Sequence, residues 1–308
     1  MKSGSKSIVL IALAANCIIA IIKFVVAIIT GSSAMLAEAV HSAADTGNQI
    51  FLLIGIKRSF KSPDSAHPFG YGQEQYFWSF MVAILIFFIG SIVSLYEGFH
   101  KLSAPTEIES PWMIYVILAI SMCLESYAFF AAYKEFNSKR IKGDGIFLSV
   151  HKTKDTSVAV ILFEDSAALL GLSIAFVGVL LADLTGILIF DALASILIGV
   201  LLASVSFWLA YECKELLIGE SASNLNLAKI EQSIKGFEEI DKTGEILTMH
   251  LGPNQILVTL SVEFKDELTT DEIEKAVDTI KSNIREGVPA ATKIFIEAKN
   301  ILVQNPTV

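Results

Sequence analysis

A stripe of polar side chains interrupts an otherwise apolar stretch, AMLAEAVHSAADTGNQ, at residues 34–49. The four residues are Glu38, His41, Asp45 and Asn48. His41 and Asp45 are four residues apart and the other two lie about one turn to either side, so a helix places all four on one face. An imidazole nitrogen and a carboxylate oxygen at this spacing can fill two positions of a tetrahedral metal site. The pattern indicates a metal centre that takes further ligands from elsewhere.

The further ligands are expected from a second apolar stretch, LFEDSAALLG, which contains Glu164 and Asp165. Neighbouring residues on a helix are about 100° apart, so one carboxylate points at the site and the other has a second role. We favour Asp165 as the ligand. The alternative is that the polar groups pair with one another or with Lys23 as structural hydrogen bonds. Lys23 itself is expected to snorkel or to form an ion pair, and Glu125 is left open between helix packing and a proton path.

The chain as a whole is too apolar for an ordinary soluble domain. Its 308 residues are 53% hydrophobic and their mean hydropathy is +0.60. Since roughly 20 helical residues cross about 30 Å of hydrocarbon, we predict six membrane spans, at approximately 7–30, 34–56, 77–99, 112–133, 157–182 and 190–212. Charged residues inside such spans normally face a cavity, a partner or a substrate. The predicted domains are a transmembrane domain, 1–213, and a soluble domain, 214–308.

Positive charge near the span ends predicts the orientation, because short cytoplasmic loops retain Lys and Arg. One side carries Lys2, Lys6, Lys57, Arg58, Lys61, Lys134, Lys139, Arg140, Lys142, Lys152 and Lys154, and the other carries Lys101. Both termini and the soluble domain are therefore expected in the cytoplasm. The N-terminus lacks an Arg-rich transit segment, which favours a prokaryotic inner (cytoplasmic) membrane.

The soluble domain reads as an α+β unit of the metallochaperone-like kind. A helix is predicted at 224–237, and strands at 245–251 and 255–264 flank a Gly-Pro-Asn turn. Thr269 and Glu272 form the capping-box signature of a second helix, and TKIFIEAK is the last strand. The order is α-β-β-α-β, with two helices on one sheet face and the other face able to dimerise.

GSSAMLAEAVHSAADTGNQ, SPDSAHPFGYG and VILFEDSAALLG, on six spans with an α-β-β-α-β tail, resemble the cation diffusion facilitator family over essentially the whole chain. HSAADTGNQ with LFEDSAALLG is most similar to the branch that includes zinc transporter nine. The resemblance implies a homodimeric exporter, not an enzyme, that moves a divalent metal, usually zinc, outward in exchange for protons and needs no cofactor. The expected partners are the metal ion, protons, membrane lipid and a second copy of the chain, but no nucleic acid.

The resemblance implies that His41 and Asp45 are the second-span ligand pair of zinc-selective members. The fifth span departs from the family pattern. Most zinc-transporting members have His-x-x-x-Asp there, whereas Glu164 and Asp165 provide carboxylates and alignment on Gly171 leaves no histidine in register. A site richer in oxygen weakens the preference for zinc and leaves manganese, iron or cobalt as alternatives.

Two further family metal sites are incomplete in this sequence. Asp64 and His67 match a loop site whose additional histidine is replaced by Tyr71, so we expect partial binding or none, with packing of HPFGYG as the other interpretation. The soluble domain has His250, with Glu297 as its best companion, so a dinuclear site is not expected there. His100 and His151 flank spans and are expected to be solvated.

The expected mechanism is alternating access. Metal and protons compete because the ligands must be deprotonated to bind metal, so one set of residues can carry both ions. The rival from another class is a membrane scaffold or metal sensor that does not transport. An intramembrane metalloprotease is a weaker rival, because the sequence has no HExxH motif.

Overall fold

The apolar runs of the sequence form long helices in the computed structural model, which describes residues 3–105, 107–108, 110–139 and 156–301. The side chains of 3–15, 135, 138–139 and 156–159 are not part of that description. The helices are α1 (Ser3–Thr30), α2 (Ser33–Ser59), α3 (Glu74–Leu85), a π-helical turn (Ile86–Ser91) that continues into α4 (Ile92–Ser103), α5 (Pro111–Lys139), α6 (Thr156–Thr185) and α7 (Ile189–Ile218). The basic connection 140–155, which includes His151, lies outside the described residues.

Four of the six predicted positions hold helices that are long and apolar enough to cross a membrane. Within the described residues, the helices long and apolar enough to cross a membrane are Glu74–Ser103, Pro111–Lys134, Val160–Thr185 and Ile189–Ile218. In α1 the part whose side chains are described, Asn16–Thr30, is apolar but shorter than these four helices. α2 is 27 residues long, but its polar stripe and terminal Lys57 and Arg58 lower its hydropathy.

The chain divides into two compact units. The helical unit consists of Met1–Lys57 and Gln75–Lys214, and the α+β unit consists of Arg58–Glu74 and Glu215–Val308. The connection between α2 and α3 therefore belongs to the α+β unit. There Phe69 packs against Phe295 of the sheet with a centroid separation of 6.4 Å. A Cβ on Gly72 would collide with the carbonyl oxygen of Leu251.

The α+β unit has the predicted α-β-β-α-β order. Its elements are α8 (Asn224–Ile234), β1 (Ile240–Gly252), β2 (Gln255–Phe264), α9 (Thr270–Gly287) and β3 (Ala291–Ala298). β2 is the central strand, antiparallel to β1 and parallel to β3. The alternation of β2 buries one face, which packs against both helices. The packed residues are Ile256, Val258, Leu260 and Val262 of β2, Ile230 and Ile234 of α8, and Ile280 and Ile284 of α9.

Local chemistry sets the ends of the elements in this unit. Thr269 and Glu272 make the predicted capping box at the start of α9, and the bonds from Thr269 to the carboxylate lower the pKa of Glu272. α8 ends three residues before the predicted boundary, since Gly236 adopts a left-handed conformation with φ of 92°. β1 begins five residues earlier than predicted, because Ile240 pairs with Phe264 at the far end of β2.

Small residues bring the helices of the helical unit together. A Cβ on Gly98 of α4 would meet the side chain of Ile196 on α7. A Cβ on Gly178 of α6 would meet Ala194, which is also on α7. The Ser195 hydroxyl donates to the carbonyl oxygen of Ser94 at 2.8 Å and adds a polar contact between α4 and α7. Close backbone approach through small residues is typical of helix packing in lipid.

A buried acid, Asp191, joins three parts of the helical unit at the end formed by the α1–α2 turn. Its carboxylate accepts hydrogen bonds from the Ser32 hydroxyl at 2.6 Å and the Ser33 backbone N–H at 2.8 Å. The Lys101 ammonium, from α4, donates to it at 2.7 Å. Asp191 thus caps the first turn of α2 from another helix. We call Ser32, Ser33, Lys101 and Asp191 the Asp191 cluster.

We predict that Lys101→Met destabilises the helical unit by about 3–5 kcal/mol, because it leaves a buried carboxylate without its counter-ion. The Lys101→Met/Asp191→Asn double variant should lose less, since it buries no unpaired charge. Thermal unfolding of the detergent-solubilised chain measures both. A single variant as stable as the wild type would mean that the ion pair does not contribute to folding.

Candidate metal centre

His41 and Asp45 lie together on α2 as their spacing predicts. The Nδ1 atom of His41 and the Oδ1 atom of Asp45 are 3.3 Å apart, and the two side chains are 2% and 14% exposed. Among the described residues, neither ring nitrogen of His41 has a hydrogen-bond partner, and neither does Asp45 Oδ1. Buried polar atoms without partners are unusual, since each costs about 1–3 kcal/mol. These atoms are available to a ligand.

α6 brings a carboxylate to this pair. The amide nitrogen of Asn48 donates to Glu164 Oε1 at 2.8 Å, and the carboxyl groups of Asp45 and Glu164 lie within hydrogen-bonding reach. Glu164 is 6% exposed. A carboxyl pair forms such a bond only when one of the two carries a proton. α2 and α6 therefore meet through Asp45, Asn48 and Glu164, next to His41 on α2.

Asp165 occupies a different position from its neighbour. It is only partly buried and lies within electrostatic reach of Glu164 and of Glu125 on α5. The geometry thus favours Glu164, rather than Asp165, as the α6 residue that faces Asp45. Within the described part of the chain, no three His, Cys, Asp or Glu side chains are gathered closely enough to hold a metal ion.

Glu38 forms the end of the stripe nearest the α1–α2 turn and is fully buried. Its Oε2 atom is 3.3 Å from the Lys23 ammonium. Lys23 is 1% exposed, so it forms the expected ion pair and does not snorkel. Pairing with Lys23 therefore accounts for Glu38, but not for the ring nitrogens of His41.

The loop site, Asp64 with His67, already contains a cation. The Lys61 ammonium donates to Asp64 Oδ2 at 2.9 Å and the Tyr71 hydroxyl donates at 2.7 Å. Asp64 Oδ1 accepts the backbone N–H of His67 at 2.9 Å. These hydrogen bonds, led by that from Lys61, hold the pKa of Asp64 well below its usual range. A metal at this position has to displace Lys61, so the residues present do not fit a metal site.

The two candidate ligands of the soluble domain lie apart. His250 pairs with Ile256 at one end of the sheet, whereas Glu297 pairs with Ser261 five residues further along β2. Glu297 also contacts the Lys299 ammonium at 2.7 Å. His100 precedes Lys101 in the last turn of α4. It is exposed, and its ring stacks on Tyr96.

Two cations and one acid with structural roles were not assigned partners from the sequence: Lys61, Lys101 and Asp191. For Lys61 the sequence contained a signal. A lysine three residues before Asp64 can supply the positive charge that a metal would supply, and Tyr71 stands where the family has a histidine. For Lys101 and Asp191 the partners are 90 residues apart in the chain. No local pattern connects them.

Comparison with known proteins identifies the family. Residues 9–218 match the family model of the cation efflux transmembrane domain. The chain belongs to the cation efflux family. This is a family of transporters rather than enzymes, and its members are multi-pass membrane proteins. The predicted resemblance to cation diffusion facilitators is confirmed, as is the similarity to the zinc transporter nine branch.

Relatives within the cation efflux family carry different metals in their names. The chain is 33% identical over 268 residues to the human proton-coupled zinc antiporter SLC30A9, mitochondrial, which covers 87% of this chain and 47% of the relative. It is 26% identical over 296 residues to metal tolerance protein C4 of Arabidopsis thaliana, covering 96% and 63%. It is 23% identical over 300 residues to the manganese efflux system protein MneP of Bacillus subtilis, covering 95% of each. The chain spans about half the length of the first of these relatives.

For this cation efflux protein, we predict that Lys61→Met strengthens zinc binding by the loop roughly tenfold, because it removes the cation that neutralises Asp64. The measurement is a zinc titration of the full chain carrying His41→Ala, which disables the central site. Lys57→Met in the same background is the matched control and should leave affinity unchanged. Equal affinities with and without Lys61 would show that this ammonium does not keep metal away.

Proposed function

We propose that the chain is a divalent cation/proton antiporter that exports metal through the centre on α2 and α6, with zinc as the first candidate. The observation that carries the proposal is the set of buried atoms without hydrogen-bond partners among the described residues: both ring nitrogens of His41 and Asp45 Oδ1. Asp45 lies within hydrogen-bonding reach of Glu164 across the α2–α6 contact, and metal binding has to draw these side chains closer together. The human relative SLC30A9 is named a proton-coupled zinc antiporter, which supports the same function.

The ligand set determines which metals fit. One imidazole and two carboxylates suit zinc, but also manganese, iron and cobalt, which accept oxygen ligands readily. Asn48 holds Glu164 by a hydrogen bond at 2.8 Å, and its own carbonyl oxygen is buried without a partner among the described residues. The Asn48 amide therefore orients the Glu164 carboxylate and can adjust to the ion. Manganese, iron or cobalt export is the alternative.

Proton coupling follows from the chemistry of this centre. A metal ion requires His41 unprotonated and both carboxyl groups ionised. The contact between Asp45 and Glu164 requires one proton in the absence of metal. Metal entering from the cytoplasm therefore releases that proton, and protons from outside displace the metal after the bundle has changed the accessible side. The same residues carry both ions in turn.

Six spans, cytoplasmic termini, an inner-membrane location and a homodimer complete the proposal. Lys101, the lysine predicted on the outer side, is buried and paired with Asp191, which supports the charge asymmetry. The sheet face turned away from the helices bears Leu247 and Phe295, which are 55% and 52% exposed although Phe69 packs against Phe295. This exposed apolar surface supports a second copy as partner. Labelling of the termini in sealed vesicles tests the orientation, and the mass of the solubilised protein tests the dimer.

We predict that His41→Ala and Asp45→Ala each abolish metal-stimulated proton flux in proteoliposomes while the protein stays folded, because each removes a ligand. Zinc, manganese, iron and cobalt are compared at one pH. Flux with zinc that is lost in both variants supports the zinc antiporter, and flux with manganese or iron alone supports the alternative metals.

Two outcomes of this flux measurement contradict the proposal. Wild-type flux in either variant would mean that the metal binds elsewhere. Absence of flux with every metal, from a chain that is folded, would support a scaffold or sensor instead.

We further predict that Glu164→Gln reduces zinc affinity at least tenfold more than Asp165→Asn, since Glu164 faces Asp45 and Asp165 does not. Each change replaces one carboxylate by an amide of the same size, so the two variants are matched controls for each other. Equilibrium zinc binding to the purified chain is the measurement. The reverse ranking would assign the ligand to Asp165.

A further inference from the structure

Lys23 is a buried lysine in the last third of α1 and is hydrogen-bonded to α2. Its ammonium donates to the Ser42 hydroxyl at 2.7 Å and to Glu38 Oε2 at 3.3 Å. Lys23 is 1% exposed and Glu38 is fully buried. A charge in this environment is expensive and normally marks a functional position. The Lys23–Glu38 pair as a whole is neutral.

Glu38 has one oxygen that Lys23 does not use. Among the described residues, Glu38 Oε1 has no hydrogen-bond partner. It lies against α6 at Gly171, where a Cβ would be only 2.6 Å from it. A glycine at this position therefore leaves the space that the carboxylate occupies. Gly171 is seven residues, about two helical turns, from Glu164, so the oxygen points into the same α2–α6 contact that holds the metal centre.

The charge of Lys23 reaches that centre. The ammonium acts electrostatically on His41 and on Asp45, and on Glu125 across from it on α5. Glu125 in turn acts on Glu38. A divalent ion between His41 and Glu164 would be repelled by Lys23 and attracted by Glu38. Since the interior screens these charges weakly, the balance between them sets how tightly the centre holds a cation.

We propose that Lys23 is an affinity-setting residue of the transport pathway: a resident cation that neutralises Glu38 and prevents it from strengthening the hold on the metal. The proposal rests on the exporter function stated above. An exporter has to release its ion, and a free carboxylate one turn from His41 would retain it. The ammonium holds that carboxylate in a neutral pair, so the centre stays weak enough for turnover. Lys23 is thus a positioning residue and not a metal ligand.

The test is a charge series on the full chain purified in detergent, with Zn²⁺ titrated at a fixed pH. Lys23→Met frees the carboxylate and should tighten binding about tenfold. Glu38→Gln leaves the ammonium alone and should weaken binding by a similar factor. The Lys23→Met/Glu38→Gln variant is neutral, like the wild type, and should bind as the wild type does. Lys23→Arg keeps the charge and should also match the wild type.

A role limited to packing gives a different order. It predicts that Lys23→Met, Glu38→Gln and the double variant all bind equally well or more weakly than the wild type, and either result would overturn the proposal. If Lys23→Met does not fold, Glu38→Gln and the double variant still decide, because weaker binding by the first and wild-type binding by the second are both required.

Turnover separates this proposal from the exporter function. In proteoliposomes Lys23→Met should lower the zinc concentration for half-maximal flux and the maximal flux together, as tighter binding slows release. Wild-type flux with no affinity order would overturn the role of Lys23 and leave the exporter intact. The affinity order without flux from any variant would overturn the exporter function and leave Lys23 as a residue that tunes metal binding.

Discussion

The cost of placing charge among apolar helices organises the helical unit. Among the described residues, the buried charged groups have partners on other elements: Asp191 accepts hydrogen bonds from the α1–α2 turn and α4, Lys23 pairs with Glu38, and Glu164 accepts a hydrogen bond from Asn48. A pair of this kind is strongly destabilising when broken, although it adds little when formed. The pairs therefore fix which helices touch and in what rotation. The His41 ring differs from these groups, because among the described residues neither of its nitrogens has a hydrogen-bond partner.

The sequence was sufficient wherever a local pattern carried the information. The stripe on α2 follows from helical spacing alone, and the capping box of α9 from residues three apart. Glu164 and Asp165 are adjacent, so their order in the chain does not reveal the rotation of α6, which packing against α2 sets. The partners of Lys23 and Asp191 are 15 to 159 residues away. The early start of β1 likewise depends on its pairing with β2.

The same electrostatic logic operates outside the membrane at lower energy. Asp64 is exposed and takes its cation from Lys61 in its own loop, which also lies 4.1 Å from the centre of the Tyr71 ring. Exposed pairs contribute little to stability, so the loop is held mainly by packing of Phe69 on Phe295 and of Gly72 on the β1–β2 turn. This loop follows directly after α2, the helix with His41 and Asp45.

The Asp191 cluster has a mechanical consequence. It joins the α4–α7 pair to the α1–α2 turn at one end of the helical unit, whereas the contacts of α2 with α6 lie further along the helix. A joint at one end acts as a fulcrum. α2 has 27 residues and a length of about 40 Å at 1.5 Å per residue. A tilt of about 10° around the fulcrum therefore moves the far end of α2 by about 7 Å.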